Sequence, residues 1–197
     1  MEVDLWGGRG LTGGSADRPE APHETLPDAY SALVYLAQHP SIDADKIALM
    51  GFSWGGVVSM LTATNAIDSA FNLPFRFAAH IAHYPVCYAY NQIPGFDFSN
   101  LTGAPVLIQT AELDDYDFPG ACELMVSQIP ESDQQVVTVI EYPDVYHTWD
   151  RLEPKLIVED PASHVGQGGL VTLSPDLETA KKSRRKAVKF LQATFDK

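Results

Sequence analysis

Short apolar bursts alternate with longer amphipathic stretches along the chain. A helix is predicted from Pro27 to Gln38, with Leu26-Pro27 at its start and His39-Pro40 ending it. Ile47-Ala48-Leu49-Met50 has the length of a strand, and the small-residue run Gly56–Ala63 reads as a helix. A strand near residues 76–84 follows, then an irregular aromatic stretch to about residue 103. Ala104–Thr110 is predicted as a strand, Pro119–Gln128 as a helix and Gln135–Pro143 as a strand. Glu159 to Leu173 reads as a Gly- and Ser-containing loop of the kind that can overhang a site. Ser174 and Pro175 are expected to cap a final helix with Leu177, Ala180, Ala187, Val188, Leu191 and Phe195 on its buried stripe. Strands alternating with helices predict an α/β fold in one domain, with a parallel sheet and a site at the strand C-termini.

The run Gly51-Phe52-Ser53-Trp54-Gly55 is a G-x-S-x-G pentapeptide between a predicted strand and a predicted helix. That context makes it a nucleophile elbow, which lifts the Ser53 hydroxyl above the sheet on a strained turn. Gly51 and Gly55 are expected to be glycines because a Cβ would clash where strand and helix pass closely. The Trp54 N–H, at the helix N-terminus, points where an oxyanion would form. The alternative is a Gly-rich turn with an incidental serine.

A serine hydroxyl needs a base and an acid, and in such folds the chain order is Ser, acid, His. The strand Ala104–Thr110 runs into Ala111-Glu112-Leu113-Asp114-Asp115, and Gln135–Pro143 runs into Asp144-Val145-Tyr146-His147. Three strand ends therefore deliver Ser53, a carboxylate and His147 in the required order. Asp114, Asp115 and Asp117 are neighbours, and only one can reach the imidazole. Asp114 is favoured over Asp115 because it lies nearer the strand end. A solvated acidic loop and a surface histidine are the plain alternatives.

The formal net charge of −13 is unevenly spread. Lys181, Lys182, Arg184, Arg185, Lys186 and Lys189 cluster on the last predicted helix, as its wet face, and the body before them is strongly acidic. Such a body repels nucleic acid and anionic membrane, so neither is expected as a partner. No run is apolar enough to span a bilayer, and no basic-then-apolar leader opens this chain. His80 and His83, three apart on a predicted strand, face opposite sides and make a poor metal-ligand pair. Two cysteines, Cys87 and Cys122, exclude a disulfide-dense scaffold. They follow neighbouring strands and should lie close together, as free, partly buried thiols.

Several motifs together resemble the dienelactone hydrolase family of α/β-hydrolases, in its serine-nucleophile branch. Asp4-Leu5-Trp6-Gly7-Gly8-Arg9-Gly10 is similar to its Asp-Ser-Phe-x-x-Arg-Gly segment, and Gly51–Gly56 match its elbow. Tyr84-Pro85-Val86-Cys87 resembles its Tyr-Pro-x-Cys. Glu112-Leu113-Asp114-Asp115 with Pro119 and Cys122 resembles its acid loop. Tyr142-Pro143 with His147-Thr148-Trp149-Asp150 resembles its Tyr-Pro-x-x-x-His-x-Phe-Asp.

The resemblance implies an α/β-hydrolase-like sheet flanked by helices and hydrolysis of an ester, lactone or thioester, without metal or organic cofactor. Dienelactone hydrolase itself uses cysteine where this chain has Ser53, which favours carboxylic esters over lactones. A truncated fragment without efficient turnover, or a module that only binds an acyl ligand, are the competing readings. Arg9 is a candidate to hold an anionic substrate group or, equally, one half of a structural ion pair. The Gly7-Gly8 and Gly13-Gly14 pairs read as surface loop rather than as an anion nest.

If Met1–Leu5 ends a strand, the resemblance implies that three earlier strands and a helix are absent, with the loop that gives the second oxyanion donor. Turnover should then be weak. The free side of the elbow strand should be covered by another segment, by a second copy, or by the rest of a longer protein.

Overall fold

The computed structural model describes residues 1–196. In chain order its regular elements are α1 (Leu26–Ala37), β1 (Ala48–Phe52), α2 (Trp54–Thr62), α3 (Asn65–Phe71), β2 (Ala79–His83), β3 (Val106–Ala111), α4 (Ala121–Gln128), α5 (Glu131–Gln134), β4 (Val137–Tyr142), β5 (Leu156–Asp160), the single turn α6 (Ser163–Gly166), β6 (Gly169–Leu173) and α7 (Leu177–Phe195). Short 3-10 turns at Gly7–Arg9, Pro22–Thr25, Ala44–Lys46 and Cys87–Ala89 lie between them.

Strands β1 to β4 form a parallel sheet in the order β1-β2-β3-β4. Every residue of β2 and β3 is buried, because layers cover both faces. This explains why these strands read as continuous apolar runs rather than alternating ones. On one face α1 and α2 pack Leu33, Val58 and Leu61 toward Ala82, Val106 and Ile108. On the other, Ala187 of α7 packs against Ile81 and Leu107. His80 and His83 do lie on opposite faces, both buried. His80 Nδ1 stands 3.3 Å from Thr62 Oγ1, and burial lowers its pKa to about 4. His83 Nε2 meets Gln109 Nε2 at 2.9 Å.

Parallel strands share an edge, so the loops after β1, β2, β3 and β4 emerge side by side. Ser53, Tyr84, Asp114 and His147 all sit in those loops.

Three expectations change. The stretch 159–173 is not an open loop: β5 and β6 pair antiparallel, Leu156 opposite Leu173 and Asp160 opposite Gly169. The strands are short, and part of their support is remote, since Asp115 accepts the Thr172 N–H at 2.7 Å. The last helix starts later than Ser174-Pro175. Its N-cap is Asp176, which accepts the Thr179 N–H at 2.7 Å, while the Ser174 N–H is drawn to the His147 carbonyl. Ala187 of the predicted stripe is buried, but Leu177 and Val188 are exposed.

Met1–Leu5 is not a strand. Asp4 Oδ1 accepts the N–H groups of Trp6 and Gly7, each at 2.9 Å, and curls the chain into the Gly7–Arg9 turn. Among the described residues β1 therefore pairs only with β2, and its outer side faces a groove with Met50 and Phe52 exposed. No described helix is long and apolar enough to cross a membrane.

Candidate active site

Ser53 caps α2 with φ 50° and ψ −114°, a left-handed backbone that a non-glycine residue rarely holds. The turn is held by its N–H, which donates to the His83 carbonyl at 2.9 Å. Close packing permits it. A Cβ at Gly51 would overlap the carbonyl oxygen of Gly55, and one at Gly56 would stand 2.7 Å from the His83 carbonyl oxygen. Gly55 differs from expectation: a Cβ there meets open space. The close approach of α2 to β2 is thus at Gly56, one residue later.

Ser53 Oγ lies 3.0 Å from His147 Nε2, and His147 Nδ1 lies 2.7 Å from Asp114 Oδ2. His147 and Asp114 are buried and Ser53 is half-buried. The second oxygen of Asp114 accepts the Tyr116 N–H at 3.0 Å, which fixes the carboxylate plane. A carboxylate on Nδ1 favours the tautomer with its proton there, leaving Nε2 free to accept from Ser53. Trp54 begins α2, and the first N–H groups of a helix lack intrahelical partners, so its amide is available to a developing oxyanion.

The neighbouring carboxylates have other tasks. Asp115 holds Thr172 of the hairpin. Asp117 accepts the N–H groups of Cys87 and Tyr88. Burial pushes its carboxyl up to about 7, partly offset by the Cys87 N–H. Cys87 and Cys122 are neighbours as expected but are not free thiols. They form a disulfide with a Cα–Cα distance of 5.0 Å. The turn after β2 and the start of α4 bring their Cα atoms within the span a bridge requires.

His147 also lies between two aromatic rings that sequence reasoning did not single out. Tyr84 is 4.5 Å away on one side and Tyr116 4.7 Å on another, centroid to centroid. The Tyr84 hydroxyl donates to Asp150, and that of Tyr116 to Asp160 at 2.8 Å. Burial and the facing Asp150 carboxylate raise the Tyr84 phenol well above its ordinary value. Asp160 is buried, which alone would raise it. The Ala162 N–H, Arg18 and Tyr116 outweigh that and hold it low. Tyr84 stood within a quoted motif, but Arg18 and Asp160 carry no local signal because they meet across 142 positions.

Arg9 bonds Asp28 at 2.8 Å and donates to the carbonyls of Leu5 and Glu24. This is the ion-pair arrangement, and Arg18 rather than Arg9 lines the Ser53 cavity. The Gly7 and Gly13 N–H groups are taken by Asp4 and Asp17, as in a closed surface loop. The cavity beside Ser53 and His147 has a volume of about 1020 Å³, and Trp6, Trp54, Tyr116, Leu156 and Val158 contribute to its walls.

The fold is that of the α/β-hydrolases. The α/β-hydrolase enzyme MGS-M1 from a Medee basin deep-sea metagenome library superposes with a TM-score of 0.60 at 19% identity, covering 88% of this chain and 65% of its own. Esterase 2 of Thermogutta terrifontis, phosphorylated by paraoxon, gives 0.57 at 16% identity, with 90% and 66% covered. The uncharacterized peptidase YtmA of Bacillus subtilis (strain 168) is 46% identical over 55 residues, 28% of this chain and 21% of that protein. The chain thus spans less than two thirds of the length of each. The model of the dienelactone hydrolase family matches residues 13–195. With that match and the α/β-hydrolase fold, the chain belongs to the dienelactone hydrolase family.

Proposed function

We propose that the protein hydrolyses carboxylic esters, with lactones and thioesters as related substrates, through an acyl-enzyme on Ser53. The observation that carries this is the unbroken line Ser53 Oγ, His147 Nε2, His147 Nδ1, Asp114 Oδ2, with gaps of 3.0 and 2.7 Å. Ser53 attacks the carbonyl as His147 takes its proton, and the Trp54 N–H receives the oxyanion. His147 then protonates the leaving alcohol. A water activated by the same imidazole breaks the acyl-enzyme. Asp114 orients the ring and stabilises the imidazolium. The family and the esterase among its structural neighbours support this reading.

The partner is a small ester; the acidic body disfavours nucleic acid and anionic membrane. The N–H and C=O groups on the free side of β1 need partners, from another segment, a second copy or the rest of a longer protein. Sedimentation over a concentration series tests the second copy, which would give a dimer.

The Thermogutta esterase was trapped by an organophosphate, and the same chemistry tests this chain. A fluorophosphonate should label Ser53 covalently, and an aryl ester should give a burst of phenol followed by slow turnover. Labelling that survives Ser53→Ala would remove Ser53 from the mechanism. Labelling without any turnover would favour an acyl-binding module.

A further inference from the structure

Two distant stretches wall the Ser53 cavity. Leu5, Trp6 and Arg18 come from the N-terminal segment; Leu156, Val158 and Asp160 come from the β5–β6 hairpin. Arg18 Nη2 donates to Asp160 Oδ1 across the gap at 2.9 Å. The Asp160 side chain is 1% exposed and that of Arg18 is 22% exposed. Asp160 also accepts from the Tyr116 hydroxyl and from the Ala162 N–H, each at 2.8 Å. The pair reaches both sides of the chemistry. The Arg18 guanidinium lies 5.4 Å over the Trp54 ring, and the Tyr116 ring packs against His147. The other charged side chains on the cavity wall, Glu2 and Asp4, are both carboxylates.

We propose that the Arg18–Asp160 pair is a charge filter, which makes the Ser53 cavity select esters whose acyl and alcohol groups carry no negative charge. This rests on the hydrolase reading above. Asp160 already neutralises the one guanidinium facing the cavity, so among the described residues an anionic substrate finds no unpaired cationic side chain there. To recruit Arg18 it would have to displace a buried carboxylate held by three donors and leave that carboxylate short of a partner. It would also meet the exposed carboxylates of Glu2 and Asp4, whose repulsion is felt most at low salt. A neutral acyl group meets Trp6, Trp54, Tyr116 and Leu156 instead, and displaces nothing charged.

The test uses two substrates of matched shape, 4-nitrophenyl methyl adipate and 4-nitrophenyl hydrogen adipate, the second anionic at neutral pH. At low salt the whole chain should prefer the neutral ester by about tenfold or more in kcat/KM, and added salt should narrow that ratio. Asp160→Asn frees the guanidinium and should move the ratio toward the anionic ester. Arg18→Gln leaves Asp160 uncompensated and should move it the other way. Opposite shifts are a signature that general loosening of the fold does not give. Should either variant fail to fold, the salt series on the unaltered chain decides. Equal kcat/KM for the two esters at low salt, or shifts in one direction in both variants, would overturn the filter. Absence of Ser53-dependent turnover on either ester would instead sink the hydrolase reading, and the filter with it.

Discussion

Asp115 accepts the backbone N–H of Thr172 at 2.7 Å, whereas Asp114, its neighbour in the chain, points the other way, to His147. Two adjacent carboxylates are thereby divided between a hairpin and an imidazole. Asp115 also offers its carbonyl to the His164 N–H, so both its acceptors serve the 156–173 hairpin. Asp114→Asn should therefore lower kcat on an aryl ester by roughly 10³- to 10⁴-fold, because the amide favours the wrong imidazole tautomer. Asp115→Asn should act mainly on stability, by about 1.5–3 kcal/mol for a charge-assisted hydrogen bond. Comparison of kcat with denaturant midpoints checks this. A larger loss of kcat in the Asp115 variant would reassign the acid.

The elbow glycines should not respond alike to substitution. Gly51→Ala places a methyl on the Gly55 carbonyl oxygen, and Gly56→Ala presses on the His83 carbonyl. Both should cut soluble yield and Ser53 labelling. Gly55→Ala meets open space and should retain folded protein. Equal damage at all three positions would count against this packing.

The disulfide closes a separation of 35 residues between the turn after β2 and the start of α4. Loop-closure entropy puts its contribution at about 4 kcal/mol at most. Cys87→Ser with Cys122→Ser should lower the urea midpoint accordingly, and reductant should do the same to the unaltered chain. No shift under reductant, with thiol counting showing both sulfurs free, would refute the bridge.

Asp117 gives stability an unusual pH dependence. Burial raises its folded pKa to about 7 from an ordinary 3.8. For a raised carboxyl the contribution is fully present below the unfolded pKa and is lost as pH rises through the folded one. Asp117 should thus make the protein progressively less stable between about pH 4 and pH 7. Asp150 and Asp160, both held low, act in the opposite sense at more acid pH. The stability of the unaltered chain relative to Asp117→Asn should fall as pH rises across that range. A difference that is constant with pH would mean Asp117 is not raised.

Much of the site was legible from residue order. The G-x-S-x-G turn is a local structure whose glycines and flanking run announce themselves. The strands before Asp114 and His147 are apolar runs whose ends must share one edge of a parallel sheet. Residue order therefore brings Ser53, His147 and a carboxylate of the Asp114-Asp115 pair to one edge of the sheet.

What tertiary structure decided are the pairings between distant residues. Local sequence does not say which of two adjacent carboxylates faces a histidine 33 positions on, since that depends on which one the hairpin claims. It does not reveal that Arg18 meets Asp160, or that Cys87 bonds Cys122. It placed the close approach of helix and strand at Gly51 and Gly55; Gly51 does meet the Gly55 carbonyl, but the second glycine that needs to be one is Gly56, against the backbone of β2. Periodicity reports which face of an element is buried. It carries no information on what lies opposite that face, and polar partnerships at a site are settled there.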